Sequence, residues 1–199
     1  MGGACNKGGV NSFIPTKQWL VKDSPPPMLH RIITPFASDL WVSEQYENRK
    51  PGLREKAISI WEAKDFFLDL DPIEGAVEAV KEMARLSNTD VFICTSPIKR
   101  YEYCPYEKYA WVEKHLGHEF LEQIVLTRDK TVVSADLLID DRPDITGAEL
   151  NPTWEHILFT ACHNKQLLLP LPTRRLPSWN HDWKGILERK RSELNSSGQ

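Results

Sequence analysis

Residues 134–144 read SADLLIDDRPD. An apolar run, Leu137 to Ile139, ends in two adjacent carboxylates, Asp140 and Asp141, followed by Arg142 and Pro143. This is the pattern of a buried parallel strand whose carboxyl end carries chemistry. Two acids at one strand tip repel each other unless a bound cation, a nearby lysine or hydrogen bonds neutralise them. Mg²⁺ suits such a pair, because it takes carboxylate oxygens and completes its shell with a substrate phosphate. The plainer reading is that Asp141 only caps a turn before Pro143, so other segments must decide.

Outward from this stretch the chain alternates as a βα protein does. Apolar runs at 91–94, 124–126, 137–139 and 156–159 are expected as strands, with helices over 74–86 and 105–116, which gives an α/β fold with a parallel sheet flanked by helices. Val77, Val80 and Ala84, and separately Tyr109, Val112 and Leu116, are expected to cover it. Ligands of such sheets sit beyond the carboxyl ends of strands. The run at 91–94 leads into Thr95, Ser96 and Pro97, and the run at 124–126 into Thr127, Arg128, Asp129 and Lys130. Hydroxyls, cations and paired acids are what a phosphoryl site uses: donors for phosphate oxygens, positive charge against the anion, and metal ligands. Singly, Thr95 reads as a helix N-cap and Lys130 as a solvated lysine. Their arrival in strand order favours the site.

Composition narrows the function. The 199 residues, 41% of them hydrophobic, bury one core with a small appendage. A net charge of −3 argues against a nucleic-acid polymer as partner. Four cysteines, Cys5, Cys94, Cys104 and Cys162, lack zinc-site spacing or a disulfide pattern, and a reducing compartment fits them. No apolar run nears the roughly 20 residues that span a bilayer, so a soluble protein without membrane partners is expected.

Residues 1–39 are expected to be atypical and poorly ordered, with Pro25, Pro26 and Pro27 and only a short strand near 17–22. The opening MGGACN departs from a myristoylation signal at Asn6. Residues 1–22 hold Lys7, Lys17 and Lys22 and no acid but no Arg, so they make no convincing transit peptide, and a cytoplasmic location stays open. Residues 40–72 read as a small helical cap: Leu53, Ala57, Ile60 and Trp61 share one helix face, with Phe66, Phe67 and Leu68 behind as core or as an aromatic lid. Residues 73–194 form the core unit, closing in a helix over 178–194 capped near Asn180 and anchored by Trp183, Ile186 and Leu187, and 195–199 are a disordered tail.

FICTSP at 92–97, LTRDKT at 126–131 and DLLIDDRPD at 136–144 resemble motifs two, three and four of the haloacid dehalogenase superfamily of phosphatases. More narrowly, residues 41–191 resemble the vertebrate 5′(3′)-deoxyribonucleotidases, with WVSEQY, KAISIWEAK and CTSPIK nearer to the mitochondrial members than to the cytosolic ones. The resemblance implies a Rossmann-like domain with a small helical cap, Mg²⁺ dependence, a homodimer, and dephosphorylation of deoxyribonucleoside monophosphates, dUMP and dTMP above all. It further implies that Thr95 and Lys130 hold phosphate and that Asp141 binds the metal with Asp140 in support. Ser96, Ile98, Lys99 and Arg128 would line the phosphate and sugar, and Trp41, Val42, Trp61 and Phe67 the base. Leu40 stands where the family has a further aromatic.

One departure is large. The family opens with a strand ending in DxDGV, whose first Asp is the nucleophile and whose second is the general acid. Upstream of Trp41 this chain offers Asp23 and Asp39, and neither has an Asp two residues on. The missing strand is also the central one, and the best substitute is 19–21, apolar and followed by Asp23. A replaced first segment, as in an alternative transcript product, accounts for the abrupt end of the match. Two readings follow: a deoxyribonucleotidase working through an aspartyl-phosphate, and, favoured for this chain, a catalytically dead variant that binds nucleotide weakly or pairs with intact subunits. A receiver-like signalling domain uses similar groups, but its phosphoacceptor ends an earlier strand, again absent here.

Overall fold

A computed structural model of the protein describes residues 20–21, 47, 51–161, 163–169 and 172–197. Among them are six strands: β1 (Leu20–Val21), β2 (Val91–Thr95), β3 (Ile124–Leu126), β4 (Leu137–Asp140), β5 (Glu155–Phe159) and β6 (Arg174–Leu176). Four α-helices are α1 (Leu53–Trp61), α2 (Ala76–Met83), α3 (Cys104–Leu116) and α4 (Trp183–Ser197), and a 3-10 helix spans His118–Gln123. The four expected parallel strands all form. β2 pairs with β3 in parallel, and β4, β5 and β6 form a second parallel set. Every residue of β4 is buried, as an apolar run covered on both faces requires. No helix among the described residues is long and apolar enough to cross a membrane.

The gap left by the family's first strand is filled by β1. Leu20 pairs with Phe92 and Val21 with Val91, and β1 also lies against β4, between the two parallel sets. It runs antiparallel to β2. A strand entering this slot in parallel would finish at the level of Thr95, whereas β1 finishes at the level of Val91, the opposite end. Trp19 and Asp23 lie outside the described residues.

Leu137, Leu138, Ile139, Ile157, Met83, Trp111 and Leu116 are among the most deeply buried side chains and tie both sheets to α2 and α3. Several expectations are corrected. On α3 the buried stripe is Cys104, Glu107, Lys108, Trp111, Val112 and Leu116, while Tyr109 is exposed. Two charged residues on the inner face broke the apolar periodicity and shifted the expected face round to Tyr109. On α1 only Ala57 is buried, and Ile60 is exposed. The cap of α4 is Asp182, whose Oδ1 accepts the N–H of Gly185 at 2.8 Å, whereas the Asn180 amide donates to Glu74. α4 also runs on to Ser197, into the expected tail.

β6 had no apolar run to announce it, since its first two residues are arginines. They are held by acids and carbonyls instead: Arg174 donates to both oxygens of Glu155, the first residue of β5, and Lys190 of α4 approaches the same carboxylate. Burial pushes Glu155 up, but Arg174 and Lys190 outweigh it, so its carboxyl titrates below the ordinary 4.5. A depressed folded value contributes stability above the unfolded value that is lost as pH falls through the folded one. Glu155→Gln is therefore expected to flatten the loss of stability below about pH 4.5. Acid-unfolding curves of the two proteins check this, and superimposable curves would contradict it.

Candidate functional site

Thr95, the last residue of β2, is 5% exposed, and its carbonyl accepts the N–H of Thr127 at 3.0 Å, which brings the exit of β3 beside the tip of β2. From that exit Lys130 turns inward, 4% exposed, and its Nζ donates to Oδ2 of Asp140 at the tip of β4, 2.9 Å away. The other oxygen of Asp140 accepts the N–H of Arg142 at 2.7 Å. Asp140 and Asp141 are 0% and 1% exposed. Burial pushes the Lys130 ammonium below its ordinary value and the Asp140 carboxyl above its own, while the attraction between them opposes both shifts.

The structure adds a cation that the sequence did not disclose. Lys108 of α3, 4% exposed, donates from Nζ to the Thr95 hydroxyl at 2.8 Å and stands 4.7 Å from the centre of the Phe67 ring. A lysine one residue after a glutamate on a helix reads as an ordinary surface pair. Only its place on the buried stripe of α3 would have marked it. Phe67 in turn belongs to a small cluster with Ile98 and Cys104, flanked by Trp61, Phe66 and Leu70. The structure thus brings Trp61, Phe67 and Ile98 together beside the lysine that reaches Thr95. Arg128 donates to the Pro97 carbonyl at 3.1 Å, Ser96 is half-buried and Lys99 exposed. Trp41 and Val42 lie outside the described residues.

Asp141 is fixed through its backbone. Its carbonyl accepts Nδ2 of Asn164 at 2.7 Å and faces Nε2 of His163 at 3.0 Å. Asn164 uses its whole amide: Nδ2 also donates to the Phe159 carbonyl at the end of β5, and Oδ1 accepts the Ala161 N–H and Arg175 of β6. One fully buried side chain thus joins the ends of β4 and β5 to Arg175 of β6. Asn164→Ala leaves several buried polar groups unsatisfied and is expected to destabilise the fold by at least about 2 kcal/mol. A fall in the urea midpoint at constant slope reports it, and an unchanged midpoint would contradict the assignment.

The donor set bears on the expected Mg²⁺. Both oxygens of Asp140 are engaged by Lys130 and Arg142, and Oδ2 of Asp141 lies 3.6 Å from Nε2 of His163. No group of three or more His, Cys, Asp or Glu side chains placed to hold a metal exists among the described residues. The residues fit a hard cation shared with a phosphate, since Mg²⁺ is held by one or two carboxylates plus substrate oxygens.

Residues 32–191 match the profile of the family described as "5' nucleotidase, deoxy (Pyrimidine), cytosolic type C protein". The chain belongs to this family. It is 76% identical over 151 residues to the mouse (Mus musculus) "5'(3')-deoxyribonucleotidase, mitochondrial", which covers 76% of this chain and 69% of the relative. The human (Homo sapiens) protein of the same name is 76% identical over 151 residues, 76% of this chain and 66% of the relative. The human cytosolic type is 57% identical over 148 residues, 74% of each. The chain therefore spans about two thirds of the length of the mitochondrial relatives. The family match favours the deoxyribonucleotidase reading over the receiver-like one.

Proposed function

We propose that this chain keeps the phosphate-binding half of a 5′(3′)-deoxyribonucleotidase and binds deoxyribonucleoside monophosphates such as dUMP and dTMP without turning them over. The direction of β1 carries this reading. An aspartyl-phosphate mechanism needs a carboxylate at the carboxyl end of the central strand, where it can attack phosphorus. β1 occupies that slot the other way round, with Val21 level with Val91. Thr95 is four strand residues further on, about 13 Å.

What remains suits binding. The Thr95 hydroxyl with the ammonium groups of Lys108 and Lys130 offers donors and positive charge to phosphate oxygens. Trp61, Phe67 and Ile98 offer an apolar wall for sugar and base. Asp141, supported by Asp140, is the ligand for Mg²⁺, which when bound supplies further positive charge on the phosphate. The cap at 40–72 belongs to the base end and the unit at 73–194 to the phosphate end. Homodimer formation, or pairing with intact subunits, follows the family resemblance, and a mitochondrial location follows the names of the two relatives.

With the DxD carboxylates absent, binding is expected to be weak, high-micromolar to millimolar for dUMP, on the order of 4–6 kcal/mol. Titration calorimetry with Mg²⁺ present tests this. Absence of any heat of dUMP binding from a cooperatively folded chain would mean that the constellation is inherited sequence without a working site.

A further inference from the structure

Glu107, 2% exposed, lies on α3 one residue before Lys108 and has no part in the phosphate reading. Its Oε1 accepts the N–H of Asp65 at 2.6 Å and its Oε2 the N–H of Phe67 at 3.0 Å. Both bonds reach into the segment that follows α1. Asp65 there has a φ of 67°, a left-handed conformation that residues bearing a Cβ seldom adopt, and its carbonyl accepts the N–H of Asp69 at 2.9 Å. Phe67 is 3% exposed, packs edge-on to Phe66 and lies under the Nζ of Lys108. One turn of α3 thus performs two tasks. Lys108 reaches the Thr95 hydroxyl, and Glu107 holds the backbone that carries Phe67.

We propose that Glu107 is a positioning residue whose carboxylate fastens segment 65–67 to α3 and sets the distance of Phe67 from Thr95 and Lys108. On the function proposed above, that distance is the spacing between the base and the phosphate of a bound nucleotide. The nucleotide part rests on that reading and the fastening does not. A carboxylate suits the task because its two oxygens accept two converging N–H groups, whereas a carboxamide of the same shape has one acceptor and turns an NH₂ group towards a donor. The carboxylate also bonds across the chain to a left-handed residue, which would otherwise drift from that conformation.

Glu107→Gln tests the inference by amide hydrogen exchange together with calorimetry using dUMP and inorganic phosphate. The amides of Asp65 and Phe67 are expected to exchange at least about tenfold faster while those of β2 are unchanged. The affinity for dUMP is expected to fall about tenfold while that for inorganic phosphate stays as it was. Glu107→Asp, which keeps the charge but falls short of one of the two N–H groups, is expected to show the same selective pattern at smaller size. It serves in place of the glutamine variant if that chain does not fold. Unchanged exchange at Asp65 and Phe67, exchange accelerated equally in β2, or equal loss of dUMP and phosphate affinity would each overturn the proposal. Failure of the unaltered chain to bind dUMP would remove the function proposed above, and the exchange comparison would still decide the fastening.

Discussion

Incubated with dUMP and Mg²⁺, the purified chain is expected to release phosphate at least about 10⁴-fold more slowly than an intact deoxyribonucleotidase, the scale on which removal of a covalent catalytic group acts. Thr95, Lys108 and Lys130 can hold a phosphate and draw charge from it, but none stands in for a carboxylate that forms and then releases an aspartyl-phosphate. Asp140 and Asp141 are unsuited to that step. The first has both oxygens occupied by Lys130 and Arg142. The second is the residue proposed to hold the metal. Asp23→Asn is expected to leave the residual rate unchanged, because β1 runs antiparallel to β2 and ends at the level of Val91, the end away from Thr95. Robust Mg²⁺-dependent release, abolished by Asp23→Asn, would show that the N-terminal strand runs the other way and brings its acid to the site.

The second large effect is expected at Lys130. Lys130→Ala removes the partner of a carboxylate with no solvent exposure and is expected to destabilise the fold by about 3–5 kcal/mol, the cost of stranding one member of a buried pair. The same variant is expected to lose measurable dUMP binding. The double variant Lys130→Met, Asp140→Leu separates the two consequences. With both charges gone no unpaired buried charge is left and only the Arg142 N–H loses its partner, so stability is expected to return in large part while dUMP binding does not. Chemical denaturation of the unaltered chain, Lys130→Met, Asp140→Leu and the double variant measures the coupling. A double variant as unstable as the sum of the singles would show that the pair is not the source of the effect.

The parallel strands and the acids and hydroxyls at their ends were legible because each strand is an apolar run ending abruptly in polar residues, and period and boundary both survive in one dimension. Lys130 and Asp140, ten residues apart, both stand out after apolar runs, but their bond required knowing that the loop after β3 folds back over β4. Lys108, Glu107 and Asn164 were not legible. Each is a polar residue on a buried surface, and the signal of burial in a sequence is apolar periodicity, which a buried charge interrupts. β6 failed for the same reason: Arg174 and Arg175 are placed by Glu155, Asn164 and backbone carbonyls rather than by a hydrophobic face. The substitute strand was found by its apolar character, but its direction was not. Two apolar residues fit a slot between β2 and β4 in either sense, and only the pairing of Leu20 with Phe92 and Val21 with Val91 settles which.

Phosphorus-31 NMR of dUMP titrated with the folded chain and Mg²⁺ reads binding and turnover in one sample. The account predicts that the dUMP resonance shifts and broadens saturably in the high-micromolar to millimolar range, while no inorganic phosphate resonance grows in over hours. Steady growth of inorganic phosphate, or a dUMP resonance indifferent to the protein, would contradict it.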